Sequence, residues 1–234
     1  QKIIMSNIFL NGSTIDLTIP EESDLDIWHS WFNDHNITEF LYQGRFPNTK
    51  EKQINFWQSS ESKGKLLLMI KTKDHELLGV INLSFINQIR RSCDIAYVCP
   101  VKNKKSPFAI IEAIALMSEH AFERMGLEKI YATHAWPGLD NWFLKTEVLG
   151  FRLEGFHFNG FRNGQVYSHS IRTSLTFTRF IKLKKLRSGN FYPGDKIFSK
   201  NYLRHKQEKS SAFQIKEILE DIHNNQDINL SCKN

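Results

Sequence analysis

The sequence lacks the features that mark several classes of protein. It has only 3 cysteines in 234 residues and no CxxC spacing, which argues against a disulfide framework and against a cysteine zinc site. No apolar run approaches the ~20 residues of a membrane-spanning helix, and QKIIMSNIFLNGS is not organised as a signal peptide. No His, Cys, Asp and Glu cluster has metal-ligand spacing. We therefore expect a protein of the reducing cytoplasm that uses neither a metal nor a membrane.

The composition favours a folded domain that carries a basic appendage. Hydrophobic residues make up 41% of the chain and include 18 Phe and 5 Trp, enough for a real core. The formal net charge of +6 is uneven, because residues 179–209 alone carry a net +8 and leave about −2 for the rest. We expect one domain over residues 1–178 and a basic C-terminal extension over residues 179–234.

Apolar periodicity predicts a mixed α/β domain. STIDLTIP alternates as a first strand, and two helices with apolar helical spacing follow. Ser23 and Asp26 resemble a capping box for the first helix, and Asn48 or Thr49 caps the second. KLLLMIKT and ELLGVINLSFI form a hairpin around KDHE. The full predicted order is β-α-α-β-β-β-α-β-α-β-β, in which SCDIAYVCP is the fourth strand, LEKIYATHAW the fifth, and the last two strands surround FRNG.

The longest predicted helix begins in VKNKKSPFAIIEA. Ser106 stands at the expected N-cap and Pro107 at the first helical position. Gly126 is the expected C-terminal cap. Helix N-termini favour anions, so the lysines before Ser106 permit a phosphate site. The alternative is a capped helix preceded by solvated lysines. The helix carries an apolar stripe formed by Ile110, Ile114, Met117, Ala121 and Met125.

The extension is harder to interpret from its pattern. KLKKLRSGNFYPGDKIFSKNYLRHKQEKSS shows little periodicity. SAFQIKEILEDIHNN has apolar residues at helical spacing, which predicts one short amphipathic helix. Its positive charge bears on partners rather than on the fold.

Several segments, in this order and spacing, resemble the GCN5-related N-acetyltransferase superfamily. WFNDHNITEFL resembles its first-helix signature, SEHAFERMGLEKIYA its central helix and fifth strand, and EVLGFRLEGFHFNGFRNGQVYSHSI its ending. The resemblance covers roughly residues 12–178 and is nearest to the sub-branch of ribosomal-protein and amino-sugar-nucleotide acetyltransferases. It implies the GNAT-like α/β fold with a mixed sheet.

The resemblance also implies a site for acetyl-CoA. In this family the fourth and fifth strands splay apart, the cofactor lies in the cleft, and its pyrophosphate meets the start of the long helix. The family's loop pattern falls here on Lys104-x-x-Pro107-x-Ala109, with proline where relatives carry glycine, so one amide donor is absent. The implied cofactor-binding residues are Tyr97, Val98, Cys99, Lys104, Lys105, Ser106, Pro107, Phe108, Ala109 and Asn141.

Two candidate catalytic residues follow from the same resemblance. His134 falls where many relatives place a glutamate base, and imidazole chemistry suits that role. Asp94 on the fourth strand is the second candidate. Each has a structural alternative, as a hydrogen-bonded cleft wall or a partner of local backbone. The general acid is not identified, because Thr146 stands where relatives carry tyrosine, and Leu139 stands where they carry a cofactor-contacting asparagine.

The leading hypothesis is direct acetyl transfer from acetyl-CoA to a primary amine in a ternary complex. The resemblance favours an amino-sugar nucleotide, with a protein N-terminus or ribosomal protein as the alternative acceptor. A non-catalytic CoA-binding or protein-binding module is the second hypothesis. The third hypothesis is a protein that binds nucleic acid through its basic extension. The nearly neutral charge of the rest of the chain argues against it. The assembly state, a homodimer included, stays open.

Overall fold

The computed structural model describes residues 7–41, 43–100, 107–136 and 138–207, together with residues 217, 220 and 221. Among these residues, no helix is long and apolar enough to cross a membrane. The described elements are β1 (Ile8–Asn11), β2 (Ile15–Thr18), α1 (Glu22–Trp31), α2 (His35–Thr38), α3 (Lys50–Gln58), β3 (Leu66–Thr72), β4 (Leu77–Asn87), β5 (Ser92–Val98), α4 (Ala109–Glu123), β6 (Lys129–Trp136), α5 (Asp140–Leu149), β7 (Arg152–Asn163), β8 (Val166–Thr176), α6 (Phe177–Leu186) and α7 (Asp195–Gln207).

The eight strands form one mixed sheet. Their spatial order is β1-β2-β3-β4-β5-β6-β8-β7. Neighbours are antiparallel except for β5 and β6, which run parallel. The predicted mixed α/β architecture is confirmed, and every predicted element up to the final hairpin is present. The strand β1 and the helix α2 were not predicted, since each is only four residues long.

Helices cover both faces of the sheet, so the domain has a core on each face, and a third, smaller buried cluster lies beside α5. The apolar stripe of α4 packs against one face, where Ile110, Ile114, Met117 and Ala121 are all buried. On the other face, Trp28 and Trp31 of α1 meet the apolar side chains of β3 and β4. The strand residues between these two layers alternate in the face they present.

The start of α4 differs from the predicted one. The first carbonyl to accept helical hydrogen bonds is that of Phe108, which accepts them from the amides of Ile111 and Glu112. Phe108 is therefore the N-cap, and Pro107 lies in the preceding turn rather than at the first helical position. Ser106, the predicted cap, lies outside the described residues. The other end is as expected, since Gly126 has a positive φ of 67°.

The capping box of α1 also lies earlier than predicted. The helix begins at Glu22, so Ser23 is already in the first turn and cannot be the cap. Instead the carboxylate of Asp24 accepts the amide of Glu21 at 3.0 Å. For α3, the prediction of Thr49 is confirmed, because its hydroxyl accepts the amide of Lys52.

The first part of the extension is helical and shares the main core. The segment from Lys182 onward, in which no periodicity predicted a helix, contains the second half of α6 and all of α7. Phe180, Phe191 and Phe198 are fully buried with the side chains of α4. The helix predicted for SAFQIKEILEDIHNN lies outside the described residues, except at positions 217, 220 and 221.

Two arginines of the extension bind the carboxyl end of α5. The guanidinium of Arg187 donates to the carbonyls of Val148 and Leu149, each at 3.1 Å, and Arg179 donates to that of Gly150 at 2.6 Å. These carbonyls belong to the last turn of the helix and lack intrahelical partners. Part of the positive charge of the extension thus serves the fold.

A buried carboxylate joins α4 to the turn between β1 and β2. Glu112 is 2% exposed and accepts hydrogen bonds from the amides and hydroxyls of Ser13 and Thr14. Glu112→Ala should lower the free energy of unfolding by about 3 kcal/mol, because these buried donors lose a charged acceptor. Urea denaturation measures this loss. Glu123→Ala on the same helix removes only an exposed pair with Lys184 and should cost under about 1 kcal/mol. Equal losses in the two variants would contradict this role.

Candidate active site

The parallel strands β5 and β6 separate into a fork. Their pairing runs from Ser92 opposite Lys129 to Asp94 opposite Tyr131 and, within the described residues, goes no further. Beyond this point β5 stays paired with β4, and β6 stays paired with β8. The facing edges of the two strands therefore carry backbone amides and carbonyls that no strand uses. The splaying implied by the family resemblance is confirmed.

A cavity of about 460 Å³ occupies the fork. Its volume is in the range of small-ligand sites. Three of the predicted cofactor-binding residues, Tyr97, Val98 and Cys99, line it, as does the candidate base His134. The other lining residues are Asn36, Ile37, Phe40, Leu41, Ile95, Ala96, Pro100, Ala132, Thr133, Leu139 and Trp142.

The two faces of the fork have different surroundings. Tyr97 and Cys99 pack toward the core under α4, whereas Val98 packs toward the core under α1 and α3. Because side chains alternate along a strand, Ala96 and Asp94 share the face of Val98. This part of the chain therefore places Tyr97 and Cys99 on one face of the sheet and Asp94 on the other.

His134 lies on the α5 side of the fork and is buried. It is 3% exposed, and its ring packs against that of Phe143 at a centroid distance of 6.3 Å. The hydroxyl oxygen of Thr146 lies 3.4 Å from Nε2, and this hydroxyl donates to the carbonyl of Phe143. Burial lowers the pKa of His134 from 6.5 to about 4, so the imidazole is neutral at pH 7.

This lowered pKa makes stability pH-dependent. The unfolded chain protonates His134 near pH 6.5, whereas the folded chain does so only near pH 4, so stability falls as the pH is lowered through that window. We expect His134 to account for a loss of about 2 kcal/mol between pH 7 and pH 5. Urea titrations at both pH values should show a shallower decline for His134→Gln than for the parent chain. Leu144→Ala, a buried change on α5 without a titrating group, should keep the parent's slope. An unchanged slope in His134→Gln would contradict the assignment.

Asp94 stands at the apex of the fork. Its carboxylate pairs with Arg172 of β8 at 3.2 Å, and the guanidinium of Arg172 lies over the ring of Tyr131 at 4.3 Å. Burial raises the pKa of Asp94, and the charge of Arg172 acts in the opposite direction. The side chain keeps 31% of its exposure, but Asp94 is not among the residues that line the fork cavity.

The start of α4 follows β5 in the chain, after residues 101–106, which lie outside the described residues. Pro107 is exposed, Phe108 packs its ring on Phe198 of α7 at 5.1 Å, and Ala109 is buried as the first helical residue. Lys104 and Lys105, like Ser106, lie outside the described residues. The amides of a first helical turn lack intrahelical acceptors, so this end of α4 can receive an anion even without the family's glycine.

The start of α5 contains the residues that depart from the family pattern. Leu139 is the N-cap and lines the cavity. Asn141 is exposed, and its amide oxygen accepts a hydrogen bond of 3.3 Å from the hydroxyl of Tyr202 in α7. Thr146 is 1% exposed and lies outside the cavity lining, so its hydroxyl does not face the cleft as a tyrosine substitute would.

One wall of the cavity was not predicted from the sequence. Asn36, Ile37, Phe40 and Leu41 come from α2 and the turn after it. They belong to WFNDHNITEFL, a segment that served only to support the resemblance. Trp142 was missed as well, although its ring lies at 5.5 Å from that of Tyr97. Within the described residues, no group of three or more His, Cys, Asp and Glu is arranged to hold a metal ion.

Comparisons with known proteins agree with this geometry. The profile described as "Acetyltransferase (GNAT) domain" matches residues 15–137, slightly more than half of the chain. No protein of curated function matches the sequence. A spermidine N-acetyltransferase from Vibrio cholerae, solved with CoA and spermine, superposes with a TM-score of 0.64 at 20% identity, covering 72% of this chain and 98% of that one.

A second solved structure, a GNAT-family acetyltransferase from Bacillus anthracis, gives a TM-score of 0.59 at 19% identity, again with 72% of this chain and 98% of the other covered. These similarities show the fold. They do not confirm the sub-branch of ribosomal-protein and amino-sugar-nucleotide enzymes. The chain belongs to the GNAT family of acetyltransferases.

Proposed function

We propose that this chain transfers the acetyl group of acetyl-CoA directly to a primary amine of a small-molecule acceptor, in a ternary complex. The observation that carries the proposal is the fork, where pairing of β5 with β6 stops at Asp94 and a cavity of about 460 Å³ begins. A spermidine N-acetyltransferase with the same fold has been solved with CoA, which supports this choice of donor.

The residues present fit acetyl-CoA, which supplies an activated thioester. The free edge of β5 from Ile95 to Val98 offers backbone groups to an extended arm that carries amides. Tyr97, Cys99 and Trp142 give that arm an apolar wall. The first turn of α4, beginning at Ala109, offers amides and a positive dipole end to a pyrophosphate. Pro107 contributes no amide, so we expect charge from the lysines before it to assist.

Asp94 is the better candidate for the general base. It shares the face of Val98, opposite the thiol and phenol of β5, and it stays partly exposed there. A carboxylate with a raised pKa accepts a proton from an ammonium group or from a bridging water more readily than an ordinary one. His134 has a pKa of about 4 and faces α5, so we assign it to the cleft wall as a neutral group.

Direct transfer fits the cysteines better than a covalent intermediate. Burial raises the pKa of Cys99 to about 11, although the ammonium of Lys145 acts in the opposite direction. Burial likewise raises the pKa of Cys93 to about 12. Both thiols stay protonated at neutral pH, and the thiolate is the nucleophilic form. The acceptor amine must therefore attack the thioester itself.

An amino-sugar nucleotide suits the charges of the site better than a polyamine. The lining of the fork cavity contains no acidic side chain, and the carboxylate of Asp94 beside its apex is already paired with Arg172, whereas a polyamine needs several carboxylates. A second cavity of about 410 Å³ is lined by Phe32 and by residues of α3 and of the segment between α2 and α3, and it combines apolar rings with basic groups. This combination suits a base and a diphosphate. Its aromatic and basic lining residues are Phe32, Phe46, Phe56, Arg45 and Lys52.

Thiol release from acetyl-CoA across an amine panel tests the proposal. The panel holds a nucleotide-linked amino sugar, the same amino sugar without its nucleotide, spermidine and an N-terminal peptide. We expect the highest kcat/KM with the nucleotide-linked sugar. Faster turnover of spermidine or of the peptide would overturn the proposed acceptor class but would still show acetyltransferase activity. Binding of acetyl-CoA with no thiol release across the panel would favour the non-catalytic module.

A further inference from the structure

Both helices of the extension present an exposed outward face. Their inward sides are fixed by buried rings, Phe180 in α6 and Phe198 in α7. Successive residues of a helix are turned by about 100°, so the exposed residues of each helix form one continuous arc opposite its buried ring. The outward face of α6 consists of Thr178, Ile181, Lys182, Lys185 and Leu186, and that of α7 of Lys196, Ile197, Lys200, Leu203, Arg204, Lys206 and Gln207.

These outward faces combine cations with aliphatic side chains. Their four Ile and Leu residues are between 44% and 72% exposed. Their six Lys and Arg residues form no ion pair with any residue that the structure describes. The only acidic residue of the two helices is Asp195, which accepts the hydroxyl of Tyr192. The cations that serve the fold, Arg179, Lys184 and Arg187, are separate from this set.

The two helices lie on the same side of the sheet. Phe198 packs on Phe108 at the start of α4, at a centroid distance of 5.1 Å, and Phe180 packs on Phe122 near its end at 5.0 Å. These two points on α4 are about 20 Å apart. The outward faces therefore spread their positive charge along one side of the molecule.

The composition of the outward faces favours anionic lipid over nucleic acid. Each Lys or Arg near an anionic membrane surface contributes about 1 kcal/mol, and aliphatic side chains between them reach the boundary of head groups and acyl chains. Nucleic acid also offers phosphates, but its apolar surface is the base faces, which proteins engage with aromatic rings. The aromatic residues of α6 and α7 are buried or half-buried, not exposed; they are Phe177, Phe180, Phe198 and Tyr202.

We propose that the outward faces of α6 and α7 dock the protein on a membrane surface that contains anionic phospholipid. The contact is peripheral, so it needs no spanning segment, and the absence of such a segment was the ground for expecting no membrane. Residues 179–209 carry a net +8 and the rest of the chain about −2, so an anionic surface attracts this side of the molecule. The inference is independent of the proposed acetyl transfer.

Sedimentation of the full chain with lipid vesicles tests this docking. We expect binding to phosphatidylcholine vesicles with about one third phosphatidylglycerol, and little binding to phosphatidylcholine alone. Lys185→Gln combined with Lys200→Gln should weaken binding about 25-fold, the equivalent of about 1 kcal/mol per cation. Leu186→Ser combined with Leu203→Ser should weaken it about 10-fold, because the aliphatic contact with the lipid is lost.

Matched controls lie outside both helices. Lys63→Gln in the turn after α3 and Val166→Ser on β8 change exposed residues of the same kinds, and we expect neither to alter vesicle binding. Thermal denaturation should show that every variant folds like the parent chain.

Three results would overturn the docking. The first is no binding of the parent chain to the anionic vesicles. The second is an equal loss in the control variants, which would show attraction to the net charge alone. The third is an unchanged affinity of the leucine variant for vesicles together with tighter binding of the parent chain to an RNA oligonucleotide at the same salt concentration, which would make the faces a nucleic-acid site. Acetyl transfer is assayed without vesicles, so none of these results decides the proposed function.

Discussion

Ala96→Trp is expected to reduce kcat/KM for acetyl transfer by more than about 100-fold while the protein stays folded. Ala96 lies on β5 two residues beyond the apex of the fork, lines its cavity and is exposed. An indole at this position occupies the space where thioester and amine must meet, and displacement by ~1 Å already costs about 100-fold. Because Ala96 is not part of either core, the added side chain need not disturb packing.

The control for this change is Ile89→Trp. Ile89 lies in the turn between β4 and β5 and is 96% exposed. The substitution therefore adds an indole to the turn that joins these two strands, outside the cavity. We expect its kcat/KM and melting temperature to match those of the parent chain. Thiol-release kinetics and thermal denaturation measure both. Full activity in Ala96→Trp would show that the reaction does not take place in the fork.

Asp94→Asn is expected to lower kcat about 100-fold and to leave the KM for acetyl-CoA unchanged. The change removes the proposed base, and general base catalysis contributes on the order of 100-fold or more. It also breaks the ion pair with Arg172, which alone could disturb the apex. Steady-state kinetics with acetyl-CoA and acceptor varied in turn separate the two parameters.

Arg172→Gln separates these two effects. It breaks the same ion pair but keeps the carboxylate, so its kcat should stay within about 5-fold of the parent value. Because the charge of Arg172 lowers the pKa of Asp94, its removal should move the acidic limb of the pH–rate profile to higher pH. If Arg172→Gln lost as much activity as Asp94→Asn, the pair would be structural and Asp94 would not be the base.

The strands and helices of the domain follow from local pattern, and the fork follows only from the resemblance. The stripe of α4 predicts its buried face, and KDHE predicts the hairpin of β3 and β4, because both signals lie within one or two elements. The point at which β5 leaves β6 is different. It depends on the register between Asp94 and Tyr131, which are 37 positions apart in the sequence, and no local period carries that information.

The helices of the extension were missed for a physical reason. In α6, positions that face the domain are occupied by Arg179, Lys184 and Arg187 as well as by Phe180. These cations face inward because carbonyls of α5 and carboxylates of α4 receive them. A pattern based on apolar residues treats them as solvent-facing, so the amphipathic stripe is hidden.

The candidate site likewise has parts that could be predicted from the sequence and parts that could not. Tyr97, Val98 and Cys99 lie where the resemblance places them, along the open part of β5. The environments of His134 and Asp94 could not be predicted, because burial and the pairing with Arg172 arise from chain segments far apart in sequence. The wall from Asn36 to Leu41 depends on how α2 folds back over the fork, which again is a tertiary feature.

Calorimetric titration of the parent chain with acetyl-CoA tests the central claim most directly, since every role assigned to the fork requires the cofactor to bind there. We expect one molecule of acetyl-CoA per chain with a dissociation constant on the order of 10 µM, within the usual range for enzyme substrates, and a much weaker signal for Ala96→Trp. Absence of binding to the parent chain at ~1 mM acetyl-CoA, or undiminished binding to Ala96→Trp, would contradict the account.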